Sequence, residues 1–338
     1  MFEKPHLIYK VKQFNIMRFI SIPQNGQSWR SPIVYAFATE LDEPVDVDIE
    51  IFDIDAKQMI ARKCLYGVTE GVIDIAPILR SVADMRINSD GSTAIQRSPG
   101  VAEVSVGIMG LMSESRLFFA EEVGWPKARV LSRMPEPQIV EYGESVMFSV
   151  VAPESLSVEI IAYSPTSQEH HVIRSNSLMA LYDIVINTGD FMSDVQSIEL
   201  RVISGGSLVK TLNISVGSGG AKGRRLYWRN RLGGIESYLF PKSVRLVDEA
   251  VVDGFTTSAK RVSRLKSTRV CSRLCSALEC GEELQRISEI IYAPYIYEMT
   301  SKGISDVELV TRHLEHSSHG ELKIVAIEVC SEWKGGEI

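Results

Sequence analysis

The sequence has no long apolar run. No segment approaches the roughly 18–20 consecutive apolar residues that a membrane-spanning helix needs, so membrane insertion is not expected. The first twelve residues carry charges and contain no apolar stretch followed by a small-residue cleavage site. A secretory signal is therefore not expected, and the pattern favours a protein made in a cytoplasm.

The short motifs of common enzymes are also absent. There is no Gly-x-Ser-x-Gly elbow and no His-Glu-x-x-His pair. The glycine-rich stretch 217–223 does not match a phosphate-binding loop, because Lys222 is followed by Gly223 and no Ser or Thr follows to hold magnesium. No catalytic residue and no cofactor are predicted. A glycan hydrolase stays open as a less favoured alternative, since its paired carboxylates are set by the fold.

Cysteine and histidine are scarce, and their spacing is not typical of a metal site. Three of the five cysteines fall within ten residues, but without the Cys-x-x-Cys spacing of a zinc knuckle. The acidic string 46–55 lacks the glycine of a calcium-binding loop. No metal is predicted, with zinc and calcium as less favoured alternatives, and reduced thiols are expected. The residues concerned are Cys64, Cys271, Cys275, Cys280, Cys330, His313, His316 and His319.

Short alternating segments dominate what is present. Val45, Val47, Ile49 and Ile51 alternate with acids, the period-2 pattern of a half-buried strand, and further such runs are separated by turn residues. Helices are expected only at about 76–85 and 281–291. The pattern predicts a mainly β protein with two β-sandwich-like modules followed by a basic α+β module. Proline-rich and glycine-rich linkers place these modules at 1–125, 138–216 and 222–338.

Charge is distributed in blocks along the chain. The net charge is −9 over residues 1–221, +9 over 222–273 and −7 over 274–338, which gives −7 for the 338 residues. Separate blocks of opposite sign favour an electrostatic partner. Pairing between copies of the chain is the preferred interpretation, and nucleic acid is a possible but less favoured partner.

The segment 224–240 combines arginines with aromatic residues around Gly233-Gly234. We predict a β-hairpin that docks on the acidic face of a neighbouring copy, with aromatic anchors and a basic rim. Single-stranded nucleic acid, bound by stacking and phosphate contacts, is the less favoured alternative. The predicted interface residues are Tyr227, Trp228, Arg229, Asn230, Arg231, Tyr238 and Phe240, and the acidic face is that of Asp46, Asp48 and Glu50.

The same segment carries a resemblance. Residues 227–240, read as Tyr-Trp-x-Asn-x-Leu-Gly-Gly-Ile-x-x-Tyr-x-Phe, resemble a Trp-x-Asn-x-x-Gly-Gly-aromatic motif of virion structural proteins from tailed bacteriophages and prophages of gut bacteria, with Ile235 in place of the aromatic. Residues 29–35, 72–80 and 287–297 are similar to other parts of those proteins. The resemblance implies a non-enzymatic tail, baseplate or adaptor component, made in the host cytoplasm and located in the virion. It also implies a ring of identical copies that contacts other virion proteins, with no ligand or catalytic residue.

A second class of protein stays open beside this one. Sandwich domains also serve as carbohydrate-binding or adhesive modules, and exposed aromatic side chains on one face of the first two modules would favour that interpretation. The expected lack of an export signal counts against it unless the protein leaves the cell inside a particle.

Overall fold

The protein is mainly β. A computed structural model describes residues 17–87, 89–175, 180–217, 223–256, 261–300, 303–311, 313–319 and 321–332, with the backbone alone at 247–256, 261–268, 300, 315–319 and 332. Strands hold 58% of the residues and helices 8%, which confirms the fold class expected from the alternating pattern. No helix within these ranges is long and apolar enough to cross a membrane.

The chain forms two compact units. One contains the residues up to Ala83 together with Ala102–Ala120, and the other contains Asp84–Val101 together with the chain from Glu121 onward. The predicted modules 1–125, 138–216 and 222–338 differ from this division. Residues 94–97 pair with the strand at 180–187 and so belong to the second unit, which also includes both later modules.

As far as Phe119, the described chain has ten strands and one helix. They are β1 (Met17–Ser21), β2 (Gln27–Ser28), β3 (Val34–Thr39), β4 (Val45–Asp53), β5 (Gln58–Val68), β6 (Glu70–Asp74), α1 (Ala76–Val82), β7 (Ala94–Arg97), β8 (Val101–Ile108), β9 (Leu111–Met112) and β10 (Arg116–Phe119).

The first unit contains two sheets. One has the order β1-β3-β6, and the other has the order β2-β10-β8-β4-β5 with β9 beside β8. In β4, Val47, Ile49 and Ile51 are fully buried and the acids between them face solvent, as the alternation predicts. The helix α1 has Pro77 in its first turn and ends at Val82, earlier than predicted.

A β-sandwich opens the second unit, as the sequence predicts. Its central sheet has the order β11-β13-β16-β7 and its lateral sheet the order β12-β18-β17-β14-β15. Apolar residues on facing strands, such as Phe148 in the central sheet and Ile160 in the lateral sheet, share one core. The strands are β11 (Arg129–Val130), β12 (Gln138–Glu141), β13 (Ser145–Ala152), β14 (Leu156–Tyr163), β15 (Gln168–Arg174), β16 (Ala180–Asn187), β17 (Ser197–Ser204) and β18 (Ser207–Gly217).

The rest of the chain forms a C-terminal sheet covered by a helix. The sheet has the order β20-β19-β23-β24-β26-β22-β21, with β25 beside β26, and Ile287 of the helix lies in its core. A 3-10 turn at Glu289–Tyr292 continues the helix, so a helical segment is found where the sequence predicts one. The elements are β19 (Arg224–Arg229), β20 (Ile235–Phe240), β21 (Lys242–Thr256), β22 (Arg261–Cys275), α2 (Gly281–Ser288), β23 (Ile296–Thr300), β24 (Gly303–Leu309), β25 (Glu315–His319) and β26 (Leu322–Glu332).

A disulfide bond links β22 to β26. Cys271 and Cys330 are directly opposite in the antiparallel pair, with their Cα atoms 4.1 Å apart, and they are covalently joined. The expectation of reduced thiols was wrong for these two, because 59 positions of sequence separate residues that the sheet makes neighbours. Cys64, Cys275 and Cys280 are free thiols.

Candidate assembly interface

The aromatic hairpin predicted to dock on a neighbour is buried within the chain. Tyr227, Trp228 and Phe240 have no exposed surface, and Tyr238 keeps 8%. A side chain that has no exposed surface in the single chain cannot bury surface against a partner, so the anchor role predicted for these aromatics is wrong. The hairpin β19–β20 is instead the point at which the C-terminal sheet packs on the sandwich.

The two faces of this hairpin belong to two different cores. Leu226 and Trp228 pack with α2 in the core of the C-terminal sheet. Tyr227 points the other way, where it packs with Met147 and Val185 of the central sheet. Its hydroxyl donates to the Ser145 carbonyl at 2.6 Å, and burial raises the pKa of this phenol well above its usual value. The central sheet therefore has an apolar core on each face.

Arg229 belongs to a buried ion pair and not to an exposed rim. Its guanidinium donates to both carboxylate oxygens of Asp183, at 2.6 and 3.2 Å, and the two side chains are 4% and 6% exposed. It also donates to the carbonyls of Met85 and Gly233. Ser149 donates to the same carboxylate at 2.7 Å, so both charges are well hydrogen-bonded.

Asn230 holds the hairpin turn in place. Its side-chain oxygen accepts from the backbone N–H groups of Leu232 and Gly234, both at 2.9 Å. Its amide nitrogen donates to the Leu131 carbonyl at 2.9 Å and to Glu236 at 2.7 Å, so both acceptor sites and both donors are used. Asn230 is 4% exposed, and its predicted interface role is replaced by this structural one.

Both glycines of the motif are required by the backbone. Gly233 has φ of +80°, a conformation that other residues rarely adopt. A Cβ atom at Gly234 would lie 2.8 Å from the backbone carbonyl carbon of Leu131, which is too close for any side chain. The Asn-x-x-Gly-Gly pattern thus encodes a tight turn pressed against the sandwich.

A second buried charge pair lies beside the turn. Glu236 is fully buried, and its carboxylate accepts from Asn230, from the backbone N–H of Arg133 and from Arg286. Burial opposes the charge on Arg286, but its hydrogen bond to Glu283 and the charges of Glu283 and Glu236 outweigh this and raise its pKa.

Arg231 is the one predicted interface residue that is exposed. Its guanidinium carbon lies 4.3 Å from the ring centre of Tyr292, a cation–π contact, and Tyr292 keeps 63% of its surface exposed. The other six predicted interface residues are all buried.

Part of the basic block is neutralised inside the unit. Arg224, Arg225 and Arg229 form ion pairs with Glu298, Glu144 and Asp183, so the arginines of β19 are neutralised within the unit. The remaining positive charge lies mostly in the hairpin of β21 and β22, here called the ribbon. Its residues 242–275 contain eight Lys and Arg and three Asp and Glu. The strand β22 contains five of these basic residues and no acidic residue.

The ribbon has open hydrogen-bonding edges. Residues 269–275 of β22 pair with β26, whereas residues 261–268 pair, among the described residues, with β21 only. The strand β21 ends the C-terminal sheet and pairs, within the same part of the chain, with β22 only. At its base the side chains from Lys242 to Leu246 are all exposed, and they include the apolar Val244 and Leu246. Such an edge is a template for strand pairing with another chain.

The first unit carries the complementary charge. Residues 40–55, here called the acidic stretch, contain eight Asp and Glu and no Lys or Arg. Asp46, Asp48 and Glu50 lie on the solvent side of β4 as predicted, where Asp48 pairs with Arg62 at 2.7 Å and Asp46 accepts from the Gly67 N–H. The loop before β4 exposes Asp42 and Glu43 as well.

The buried carboxylates of the described residues are Asp183 and Glu236, and each is paired with an arginine. No group of three or more metal-ligating side chains occurs in the same part of the chain. His170 and His171 lie on the exposed edge strand β15.

Exposed aromatic residues do not form a row on the sandwiches. Within the described ranges, the large exposed apolar side chains include one aromatic in the first unit, Tyr66, and one in the β-sandwich of the second, Tyr142. A carbohydrate-binding face of the kind considered from the sequence is therefore not found in these ranges.

Sequence reasoning missed the partners of the buried hairpin. Ser149 and Asp183 lie within the apolar runs of β13 and β16, which are buried at every position except Asn187, the last of β16. A strand apolar on both faces indicates layers on both sides, and a carboxylate within it requires a cationic partner. That signal pointed to a three-layer arrangement, although it did not identify Arg229 as the partner.

Known proteins provide no family for this chain. No family model and no curated protein matches it. Among solved structures, the calcium-binding domain CBD12 of CALX1.1 is 11% identical, with a TM-score of 0.19, over 55% of this chain and 79% of that one. CBD12 from CALX1.2 is 8% identical, with a TM-score of 0.20, over 60% and 99%. A 1.5-MDa bacterial ice-binding adhesin is 8% identical, with a TM-score of 0.16, over 77% and 92%. TM-scores this low carry no argument about function.

Proposed function

We propose that this chain is a non-enzymatic structural protein that assembles with copies of itself through the ribbon. The observation that carries the proposal is the open ribbon: a long, basic two-stranded hairpin whose outer part has no further strand beside it among the described residues. The buried hairpin β19–β20 supports it indirectly, because its three strand arginines are paired within the unit and most other basic residues of 222–273 belong to the ribbon in the sequence.

An unsupported ribbon has a physical reason to be covered. A two-stranded hairpin is at best marginally stable alone in water, and open edges invite pairing with other chains. The ribbon carries a net charge of +5 over residues 242–275, which keeps copies of this strand apart but attracts an acidic surface. Contact with an acidic surface of the next copy would cover the open edges and would also balance the positive charge.

Within this class, the proposed identity is a tail, baseplate or adaptor protein of a tailed bacteriophage or prophage. The support is the motif that contains Trp228, Asn230 and Gly233-Gly234, which acts here as a joint between two layers of the fold. The proposed partners are further copies and other virion proteins, and the proposed location is the virion. Mass spectrometry of purified particles tests this, and absence of the chain from every particle would contradict the identity but not the self-assembly.

Shortening the ribbon tests self-assembly. Residues 249 and 269 are directly opposite, so an Asn-Gly turn in place of 250–268 closes the hairpin at its base. The wild-type chain is expected to form oligomers that sediment faster as concentration rises. The shortened chain is expected to remain a monomer and to unfold in urea as cooperatively as the wild type.

A matched control shortens another hairpin of the same unit. In β14–β15, Tyr163 and Gln168 are directly opposite, and an Asn-Gly turn in place of residues 164–167 should leave assembly intact. Self-assembly through the ribbon is refuted if the wild-type chain is a monomer at all concentrations, or if the ribbon-shortened chain assembles as the wild type does.

A further inference from the structure

We propose that the ribbon of one copy docks on the acidic stretch, residues 40–55, of a second copy. The proposal rests on the self-assembly proposed above and names the surface that receives the ribbon. It commits to a head-to-tail contact, in which each chain gives its ribbon to one neighbour and its acidic stretch to another.

The ribbon side is defined by its charge in the sequence and by the length of its backbone. Of the five basic residues in β22, Arg269 lies at the base, where it pairs with Glu308 at 3.0 Å. The outer part of β22, residues 261–268, has Arg261, Arg264 and Lys266 in its sequence and no acid. At about 3.4 Å per residue these eight residues extend roughly 27 Å past the last pair with β26. That length is enough to lie along one whole strand of a neighbour.

The receiving side is defined by the fold of β4. Burial of Val47 and Ile51 fixes which face of this strand is outward, and the outward residues are acids. The loop that leads into β4 adds Asp42 and Glu43, both exposed. The acidic stretch has eight carboxylates in sixteen residues and no Lys or Arg, and Arg62 of the neighbouring strand β5 pairs with one of them, Asp48. The described part of this unit, residues 17–83 and 102–120, carries seven Lys and Arg against twelve Asp and Glu.

Charge complementarity favours a second copy over nucleic acid. A nucleic acid would have to approach a chain whose net charge is −7, of which the acidic stretch is the densest part. A second copy supplies carboxylates in a fixed, strand-like row that matches the basic strand in length and sign. The ribbon and the acidic stretch are different surfaces, so every chain of copies has a free ribbon at one end and a free acidic stretch at the other. Further copies can therefore add until the two ends meet and the assembly closes as a ring.

Charge reversal on each side tests the contact. The acid-reversed chain carries Asp42→Lys and Glu43→Lys, which alter none of the β4 hydrogen bonds described above. The ribbon-reversed chain carries Arg261→Glu and Lys266→Glu; Arg264 is left unchanged because it is directly opposite Asp253. Each is expected to raise the dissociation constant of self-association about 10–100-fold in sedimentation velocity, and joining both changes in one chain is expected to restore assembly.

Mixing the two reversed chains separates a contact between copies from one within a chain. The acid-reversed chain keeps a basic ribbon for the acids of the ribbon-reversed chain, and the two reversed surfaces again have opposite signs. The mixture is therefore expected to form oligomers in which the two chains alternate, at concentrations where neither chain assembles alone. A control chain with Glu154→Lys and Asp194→Lys has the same change in net charge as the acid-reversed chain, at exposed positions elsewhere, and should assemble normally.

The outcomes distinguish this inference from the function it rests on. If the ribbon-shortened chain fails to assemble but the acid-reversed chain assembles as the wild type does, the ribbon docks elsewhere and only this inference is wrong. The same holds if the mixture stays monomeric. If the purified chain binds a single-stranded oligonucleotide with an affinity that falls steeply with salt, and the ribbon-reversed chain does not, nucleic acid is the partner and the inference is again wrong.

Discussion

Replacing Arg229 by Met tests whether the motif acts inside the chain or between chains. The substitution removes a guanidinium that donates to Asp183, Met85 and Gly233, and it leaves the Asp183 carboxylate buried with Ser149 as its remaining described side-chain donor. Breaking a buried ion pair from one side costs about 3–5 kcal/mol, because the remaining charge stays without a counter-charge. We expect that loss in the free energy of unfolding of the second unit.

The double substitution Arg229→Met with Asp183→Asn gives the more specific result. It removes both charges and keeps an amide that can hydrogen-bond to Ser149. We expect the double variant to be more stable than Arg229→Met alone, a reversal that additive effects at independent sites do not produce. A control, Arg201→Met, breaks an exposed pair with Glu199 and should change stability by about 0–1 kcal/mol.

Urea denaturation followed by tryptophan fluorescence measures these differences, since Trp228 is buried on the same strand as Arg229. For a unit of this size, about 2–4 °C is lost per kcal/mol, so the melting temperature of Arg229→Met should fall by roughly 6–20 °C. The internal role is refuted if Arg229→Met unfolds at the wild-type urea concentration, above all if its self-association is weakened at the same time.

Three further outcomes follow from the structure. Gly234→Ala should cost about 1–3 kcal/mol in urea denaturation, because its Cβ would collide with the Leu131 backbone; wild-type stability would contradict this. Replacing Cys271 and Cys330 by Ser should cost about 4 kcal/mol under oxidising conditions, and reductant should lower the melting temperature of the wild type only; equal effects on both chains would contradict the bond. Burial raises the pKa of Tyr35 from 10.0 to about 12, so the stabilisation that comes from its neutral phenol is complete below pH 10 and is lost between pH 10 and 12. The difference in phenolate absorbance between the wild type and Tyr35→Phe measures the ionisation of this side chain. Ionisation of Tyr35 near pH 10 in the folded protein would contradict the prediction.

The sequence predicted the sheets better than their grouping. Alternation in β4 identified both the strand and its buried face, because a half-buried strand has a period of two that is visible locally. The strand β7 was assigned to the wrong unit, because pairing with β16 depends on residues about ninety positions away. The same non-local cause hid the disulfide between β22 and β26.

The candidate site shows a similar division. The segment 224–240 was correctly predicted as a hairpin with aromatic packing, since Gly233-Gly234 marks its turn. Its placement was wrong for the aromatics, because a large apolar side chain looks the same in sequence whether its cover is another subunit or another layer of its own fold. The buried Asp183 resolved that choice, and it lies forty-six positions from Arg229.

The buried motif also determines where the ribbon begins. Phe240 ends β20 inside the core and Lys242 begins β21, so one residue, Pro241, separates the anchored hairpin from the ribbon. Proline has a fixed φ and cannot donate a hydrogen bond, which leaves little freedom at this junction. A purely apolar layer would permit the hairpin to slide, whereas the paired charges of Arg229 and Asp183 have one good register on the central sheet. The ion pair thus positions the hairpin: it fixes β19, β19 holds β20 by strand pairing, and β20 determines where β21 starts.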